Sequence, residues 1–308
     1  MTIMTDVAGR ARRVLHAFAT GDGRQLRSYA HRLGLSPELA YPIASTIKLV
    51  RNPARAARYK QSMSLMNRRP ELTGIFNKKT GWGRIASGTI PGIEPVVATL
   101  RKLRDEYRVK PAQDDYYIKT ILRPEDLNAH REVLDFVLSK ELIQIAGEYL
   151  GSVPVLKTVQ GWWTPRNETT VSSQLFHVDN VDYCQAKFFF NMEDLESRDG
   201  PFSFIPADIS KRVLKNLPNW RRRIEDDEVF QFCEPADVIE TKGPTGSGFA
   251  VDGCRCLHFG GRARDGERLV LMVSFGRHLC PMEAAVGITP QPDWYRNDTL
   301  RGMVLGAV

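Results

Sequence analysis

Hydrophobic spacing divides the chain into a first half with helical period and a second half with strand period. Through the first hundred residues, apolar positions recur at intervals of three and four. Val7, Ala11, Val14, Leu15 and Phe18 predict a helix over 6–18, and the pattern resumes over 24–33. Ser36-Pro37 and Asn52-Pro53 each set a capping side chain before a proline, the order of a helix start, so two more helices are predicted there. Residues 76–92 hold four glycines and read as a loop, whereas 94–109 read as a strongly charged helix. Helices are also predicted from Arg123 and from Ser139, the second ending at Gly151.

Beyond Gly151 the period drops to two. Strands are predicted over 153–164, 175–179, 186–192, 202–205, 238–241, 248–252, 254–259 and 269–276, separated by turn residues. Residues 243–248 are Gly-rich but lack the Lys and the following helix of a phosphate loop, and read as a hairpin turn. Short strands after a helical half predict an α+β protein whose core is a double-sheet jelly roll, a double-stranded β-helix, with flanking helices. On this reading residues 1–110 form a mainly helical N-terminal region packed on or covering the core. Residues 111–308 form the jelly-roll domain, with a helical insertion near 207–230 and a helical tail from 280.

Composition narrows the class. The chain has 308 residues, 42% hydrophobic and 26% charged, which is a globular balance. No apolar run approaches the length of a membrane span, so none is expected. The net charge of +7 is unevenly placed: residues 1–110 carry 21 Lys and Arg against 7 Asp and Glu, and the remainder 22 against 29. The basic residues interleave with apolar ones instead of forming a tract. Basic helices covering an acidic core are therefore favoured over a nucleic-acid surface. Arg10, Arg12 and Arg13 fit a solvated first helix, with a mitochondrial presequence as the alternative. The five cysteines are odd in number and include no Cys-x-x-Cys, as expected of a reduced, cytoplasmic protein with small buried thiols. Nothing in the sequence sets an oligomeric state.

The candidate chemistry lies in the strand half. His177-Val178-Asp179 sits on an extended segment, where residues two apart point to the same side. His258 lies on a distant predicted strand. Two imidazoles and one carboxylate can occupy one face of an octahedral Fe(II) and leave the other open. His177, Asp179 and His258 are therefore the candidate metal ligands and catalytic centre. Arg268, ten residues past His258, alternates with Val270, Met272 and Ser274 on one strand face. A guanidinium there can hold the far carboxylate of a keto acid as a two-toothed ion pair, and an ordinary ion pair with Asp or Glu is the alternative. Ser274 is a further cosubstrate candidate on that face. Gln160, Trp162 and Thr164 share one face of the strand over 153–164. Trp162 and Tyr183 are candidates for lining a substrate pocket, or for plain packing.

The context of these residues resembles the phytanoyl-CoA dioxygenase-like superfamily of Fe(II)/2-oxoglutarate-dependent oxygenases. It comprises the His-x-Asp, an acidic turn running into Gly200-Pro201 and Ile205-Pro206, a Gly-rich strand over 246–253, His258, and Arg268 ten residues on. The resemblance covers roughly residues 115–280 and departs at Ala207-Asp208, where many members read Gly-Ser-His after the Ile-Pro. It implies Fe(II), 2-oxoglutarate and O2, release of succinate and carbon dioxide, and oxidation of a small organic substrate. Gln160 falls 17 residues before His177, where the similar ectoine hydroxylases carry a pocket-facing Gln, and Thr164 falls near their cosubstrate-binding polar residue. In related halogenases the position of Asp179 is Gly or Ala. Its presence here implies hydroxylation, with desaturation, cyclisation or epimerisation as alternatives at the same iron. A reading from another class is a jelly roll that binds without turnover, its basic N-terminal region contacting nucleic acid or a partner.

Overall fold

The computed structural model describes residues 45–46, 48–66, 68–111, 116–217, 223–280 and 298–306. The helices predicted over 6–18 and 24–33 and from Ser36 lie outside these residues for most or all of their length.

Nine strands form two antiparallel sheets among the described residues. The larger runs β1-β7-β4-β9-β3-β2, from β1 (Trp82–Ile85), β2 (Lys119–Leu122), β3 (Val155–Thr164), β4 (Ala186–Asn191), β7 (Gly248–Val251) and β9 (Arg268–Gly276). The smaller runs β6-β5-β8, from β5 (Ser203–Phe204), β6 (Ile239–Glu240) and β8 (His258–Phe259). The helices include α1 (Pro53–Gln61), α2 (Ile93–Val109), α3 (Arg131–Val137) and α4 (Lys140–Leu150), then α5 (Ala207–Asn216), α6 (Asp226–Val229) and α7 (Thr299–Val304). None is long and apolar enough to cross a membrane.

Period two makes the larger sheet a two-faced object. Leu269, Leu271, Val273 and Phe275 of β9 and Phe188 and Phe190 of β4 join one core with α2, α3 and α4, through residues such as Val96, Leu100, Phe136 and Ile143. The alternate residues Phe189 and Met272 pack with Phe249, Val251, Phe202 and Phe204, an aromatic layer between the two sheets. Predicted helix starts hold: Asn52 accepts the Arg55 N–H ahead of α1, and Ser139 accepts the Leu142 N–H ahead of α4. Gly151 closes α4 at φ 75, a conformation that only glycine adopts without strain.

Several elements differ from the sequence expectation. Residues 82–85, read as loop, form β1 and pair with β7, so the sheet takes an edge strand from the basic first third of the chain. Gly83 hides this strand. A Cβ there would stand 1.7 Å from the Ile75 carbonyl oxygen, so close approach and not turn geometry requires the glycine. Strand β2 was not expected. The helix read from Arg123 begins as a 3-10 turn over Pro124–Asn128, and α3 starts at Arg131. The strand over 254–259 shrinks to His258–Phe259, because Asp252 binds the Cys254 and Cys256 backbone N–H groups and folds that segment into a turn. The strand over 175–179 reduces to two isolated bridges. The turn at 243–248 links β6 to β7 in the other sheet and makes no hairpin.

Candidate metal centre

One of those bridges builds the centre. His177 and His258 exchange both backbone hydrogen bonds, N to O at 3.0 Å and 2.9 Å. Residues paired this way face each other and project to one side, and the two rings lie 4.2 Å apart between centroids. Asp179, two residues on, returns to the same side. Its own N–H binds the Gly253 carbonyl at 2.7 Å, and a Cβ at Gly253 would stand 2.3 Å from Asp179 Oδ2. The glycine thus leaves room for the carboxylate. His177, Asp179 and His258 each offer a ligand atom, and the three atoms lie within 4.8 Å of one another.

The imidazoles are set up as metal donors. His177 Nδ1 meets the Leu175 carbonyl at 2.8 Å, and His258 Nδ1 meets the Cys256 carbonyl at 2.9 Å. A carbonyl only accepts, so each Nδ1 carries the proton and each Nε2 keeps its lone pair. Burial pushes His177 down to about 2, helped by neighbouring His258, and pushes His258 down to about 4 despite the pull of Asp179. Both rings are neutral at physiological pH. Burial also opposes the Asp179 charge, but the Lys187 ammonium outweighs it and holds the carboxyl below its ordinary range.

A cavity opens beside these groups. Its wall includes His177, His258, Lys187, Arg268, Trp162 and Phe189, with Phe202, Phe259 and Ser173. Arg268 is 2% exposed. One Nη donates to Thr164 Oγ1 at 3.2 Å, while Nε has no partner. No carboxylate pairs with Arg268 among the described residues; burial lowers it only to about 10, so it stays cationic. A buried charge without a counter-ion is costly, and this one lies on a cavity wall where an anion can reach it. The Tyr117 and Ser173 hydroxyls, bonded to each other, stand near the same end.

The structure brings together His177, Asp179, His258, Arg268, Thr164 and Trp162. It does not bring in the others. Ser274 shares the inward face of β9 but sits six residues from Arg268, about 20 Å along a strand, and binds the Gln185 side chain at 2.6 Å. Gln160 lies opposite Met272 on the inward face of β3 but is not on the cavity wall. Tyr183 is 41% exposed and stacks under Arg277 at 3.9 Å, also off the wall. Of the Phe188–Phe190 run only Phe189 reaches the cavity, because its neighbours point to the helices. The group missed by sequence reasoning is Lys187, whose ammonium donates to Asp179 Oδ2 at 2.5 Å. Its signal was one lysine in the otherwise apolar run Ala186-Lys187-Phe188-Phe189-Phe190.

No protein-family model matches this chain, and no curated protein matches it. Among solved structures it is similar to the non-haem α-ketoglutarate-dependent epimerase SnoN from nogalamycin biosynthesis. That match has 11% identity and a TM-score of 0.45, over 67% of this chain and 82% of that one. It is also similar to HygX from Streptomyces hygroscopicus with nickel and 2-oxoglutarate bound, at 13% identity and TM-score 0.47, over 68% and 88%. EctD from S. alaskensis in its apoform matches at 12% and 0.48, over 68% and 77%.

Proposed function

We propose that this protein is an Fe(II)/2-oxoglutarate-dependent oxygenase that hydroxylates a small organic substrate. Its two sheets are the two halves of a double-stranded β-helix. The observation that carries the reading is Arg268, a buried guanidinium without a counter-ion among the described residues, on the same cavity wall as His177 and His258. A metal site alone would not call for a cation there, but a dicarboxylate bound at the metal by one end needs one at the other.

The residues present fit both groups. His177, Asp179 and His258 would hold the iron through two neutral Nε2 atoms and a carboxylate. Arg268 and Thr164 would hold the far carboxylate of 2-oxoglutarate, filling the hydrogen-bonding capacity that Arg268 Nε leaves open. Iron, cosubstrate and O2 together supply an oxidant able to take hydrogen from an unactivated carbon. The chain's task is to bind, orient and exclude water. Trp162, Phe189 and Phe202 give the cavity an apolar wall suited to a small, partly apolar substrate. With Asp179 present, chloride has no vacated protein position, so the product is oxygenated and not chlorinated.

Anaerobic addition of Fe(II) and 2-oxoglutarate should produce a weak visible charge-transfer band, and turnover should release succinate. His177→Ala and Asp179→Ala should abolish iron uptake and the band. Arg268→Ala should keep the iron but raise the 2-oxoglutarate requirement by about 2–5 kcal/mol, the scale for truncating one partner of a buried charge pair. An intact band in His177→Ala or Asp179→Ala, or an unchanged 2-oxoglutarate affinity in folded Arg268→Ala, would refute the reading.

A further inference from the structure

Lys187 is the partly buried cation that the proposed function leaves unused. It sits on β4, a strand with neighbours on both sides, opposite Val251 of β7 and Ser274 of β9. With Phe189 it projects into the interior and lines the cavity that also holds His177, His258 and Arg268. Its side chain is 13% exposed, and its ammonium binds Asp179 Oδ2 at 2.5 Å. The other Asp179 oxygen faces His258, with Oδ1 at 3.8 Å from His258 Nε2. One carboxylate is thus placed between a fixed ammonium and the two neutral imidazole donors.

We propose that Lys187 makes metal loading conditional on the dianionic cosubstrate, by acting as a resident cation that the metal ion must share Asp179 with. This rests on the oxygenase reading above. A divalent ion, Lys187 and Arg268 bring four positive charges against the single negative charge of Asp179, the histidines being neutral. In a cavity only half open to solvent that excess opposes metal binding. The two negative charges of 2-oxoglutarate reduce the excess from three to one. Metal and cosubstrate therefore bind with positive coupling, and linkage makes the coupling reciprocal. A lysine that merely oriented Asp179 would act the other way, since its removal would loosen a ligand and weaken the metal.

The test is titration of the full chain with Co(II), followed by its visible absorption, without and with 2-oxoglutarate. Lys187→Met keeps the length of the side chain without its charge, and Lys187→Arg keeps the charge. Lys187→Met should bind Co(II) alone roughly tenfold tighter or more, the scale for like charges a few ångström apart even at the dielectric constant of water. In that variant 2-oxoglutarate should tighten Co(II) less than in the unmodified protein, and Lys187→Arg should match the unmodified protein. Lys187→Gln gives the same reading if Lys187→Met does not fold. Unchanged or weaker Co(II) binding in a folded, uncharged variant overturns the proposal while leaving the oxygenase reading intact. If the unmodified protein takes up Co(II) neither alone nor with 2-oxoglutarate, the oxygenase reading falls and this inference falls with it.

Discussion

The two faces of β9 are made by alternate residues of one strand, and they do opposite things. Leu269, Leu271, Val273 and Phe275 point outward into the core shared with α2, α3 and α4. Arg268, Met272 and Ser274 point inward, beside Lys187 and Phe189 of β4 and Thr164 of β3. The outer face gains stability by removing apolar area from water. The inner face spends some of it, because a buried guanidinium with an orphaned Nε is unfavourable until an anion arrives. A face that lowers the stability of the empty protein is best explained by the ligand it is built to hold.

The comparison breaks most readily at Leu271. Leu271→Ala should lower unfolding free energy by about 2–5 kcal/mol, the range for buried Leu to Ala, and leave metal and 2-oxoglutarate affinity unaltered in the folded fraction. Denaturant melts alongside ligand titrations check this. A change in cosubstrate affinity would mean that the faces are not independent. Arg268→Met should do the reverse: it stabilises the ligand-free protein by about 1–4 kcal/mol, as when buried charges give way to apolar side chains of similar size, and it loses 2-oxoglutarate binding. A destabilised Arg268→Met would reveal a structural counter-ion and remove the reason for placing an anion there.

This pair also marks what the sequence could disclose. Period two assigned both faces of β9 correctly, and His177, His258 and Arg268 line one cavity, with Asp179 beside the two histidines. Strand alternation fixes which side a residue faces but not how far it lies from another, so Ser274 was grouped with Arg268 although the strand holds them far apart. Lys187 was illegible for a related reason. A lone lysine in an apolar run says nothing about its partner, and Asp179 becomes that partner only once the segment 175–179 bridges to β8. Strand β1 was hidden by Gly83, whose small size serves the Ile75 carbonyl and not a turn.

The inner face should also show in the pH dependence of the metal-free protein. His258 titrates at about 4 when folded, against an ordinary value of 6.5, because burial disfavours its charge. His177 is lowered further for the same cause. The unfolded chain therefore binds more protons than the folded one below about 6.5, so stability is full above that value and falls as pH drops toward 4. His258→Gln should flatten part of this slope in urea melts at stepped pH. Saturation with a divalent metal should steepen it, because protons then compete with the ion. An identical slope in His258→Gln would remove His258 from the groups responsible.

The smallest effect compares the two ends of the inner face. Thr164 Oγ1 accepts from Arg268 at 3.2 Å, and Thr164 stands opposite Arg268 in the β3–β9 register. Thr164→Val keeps the shape and deletes one hydrogen bond to a guanidinium aimed at the cosubstrate. It should weaken 2-oxoglutarate by about 1 kcal/mol, the usual net worth of one hydrogen bond. Ser274 Oγ, at the far end, accepts from Gln185 Nε2 at 2.6 Å. Ser274→Ala should leave 2-oxoglutarate affinity where it was and cost a little stability, since Gln185 Oε1 is already without a partner and Nε2 would join it. Calorimetric titration of 2-oxoglutarate into the metal-loaded variants separates the two. Equal losses in both would mean that the cosubstrate spans the length of the sheet, which its size forbids, or that it lies along Lys187 instead of reaching toward Arg268. A loss confined to Ser274→Ala would place its far carboxylate at the wrong end of β9 and reverse the orientation proposed for the cavity.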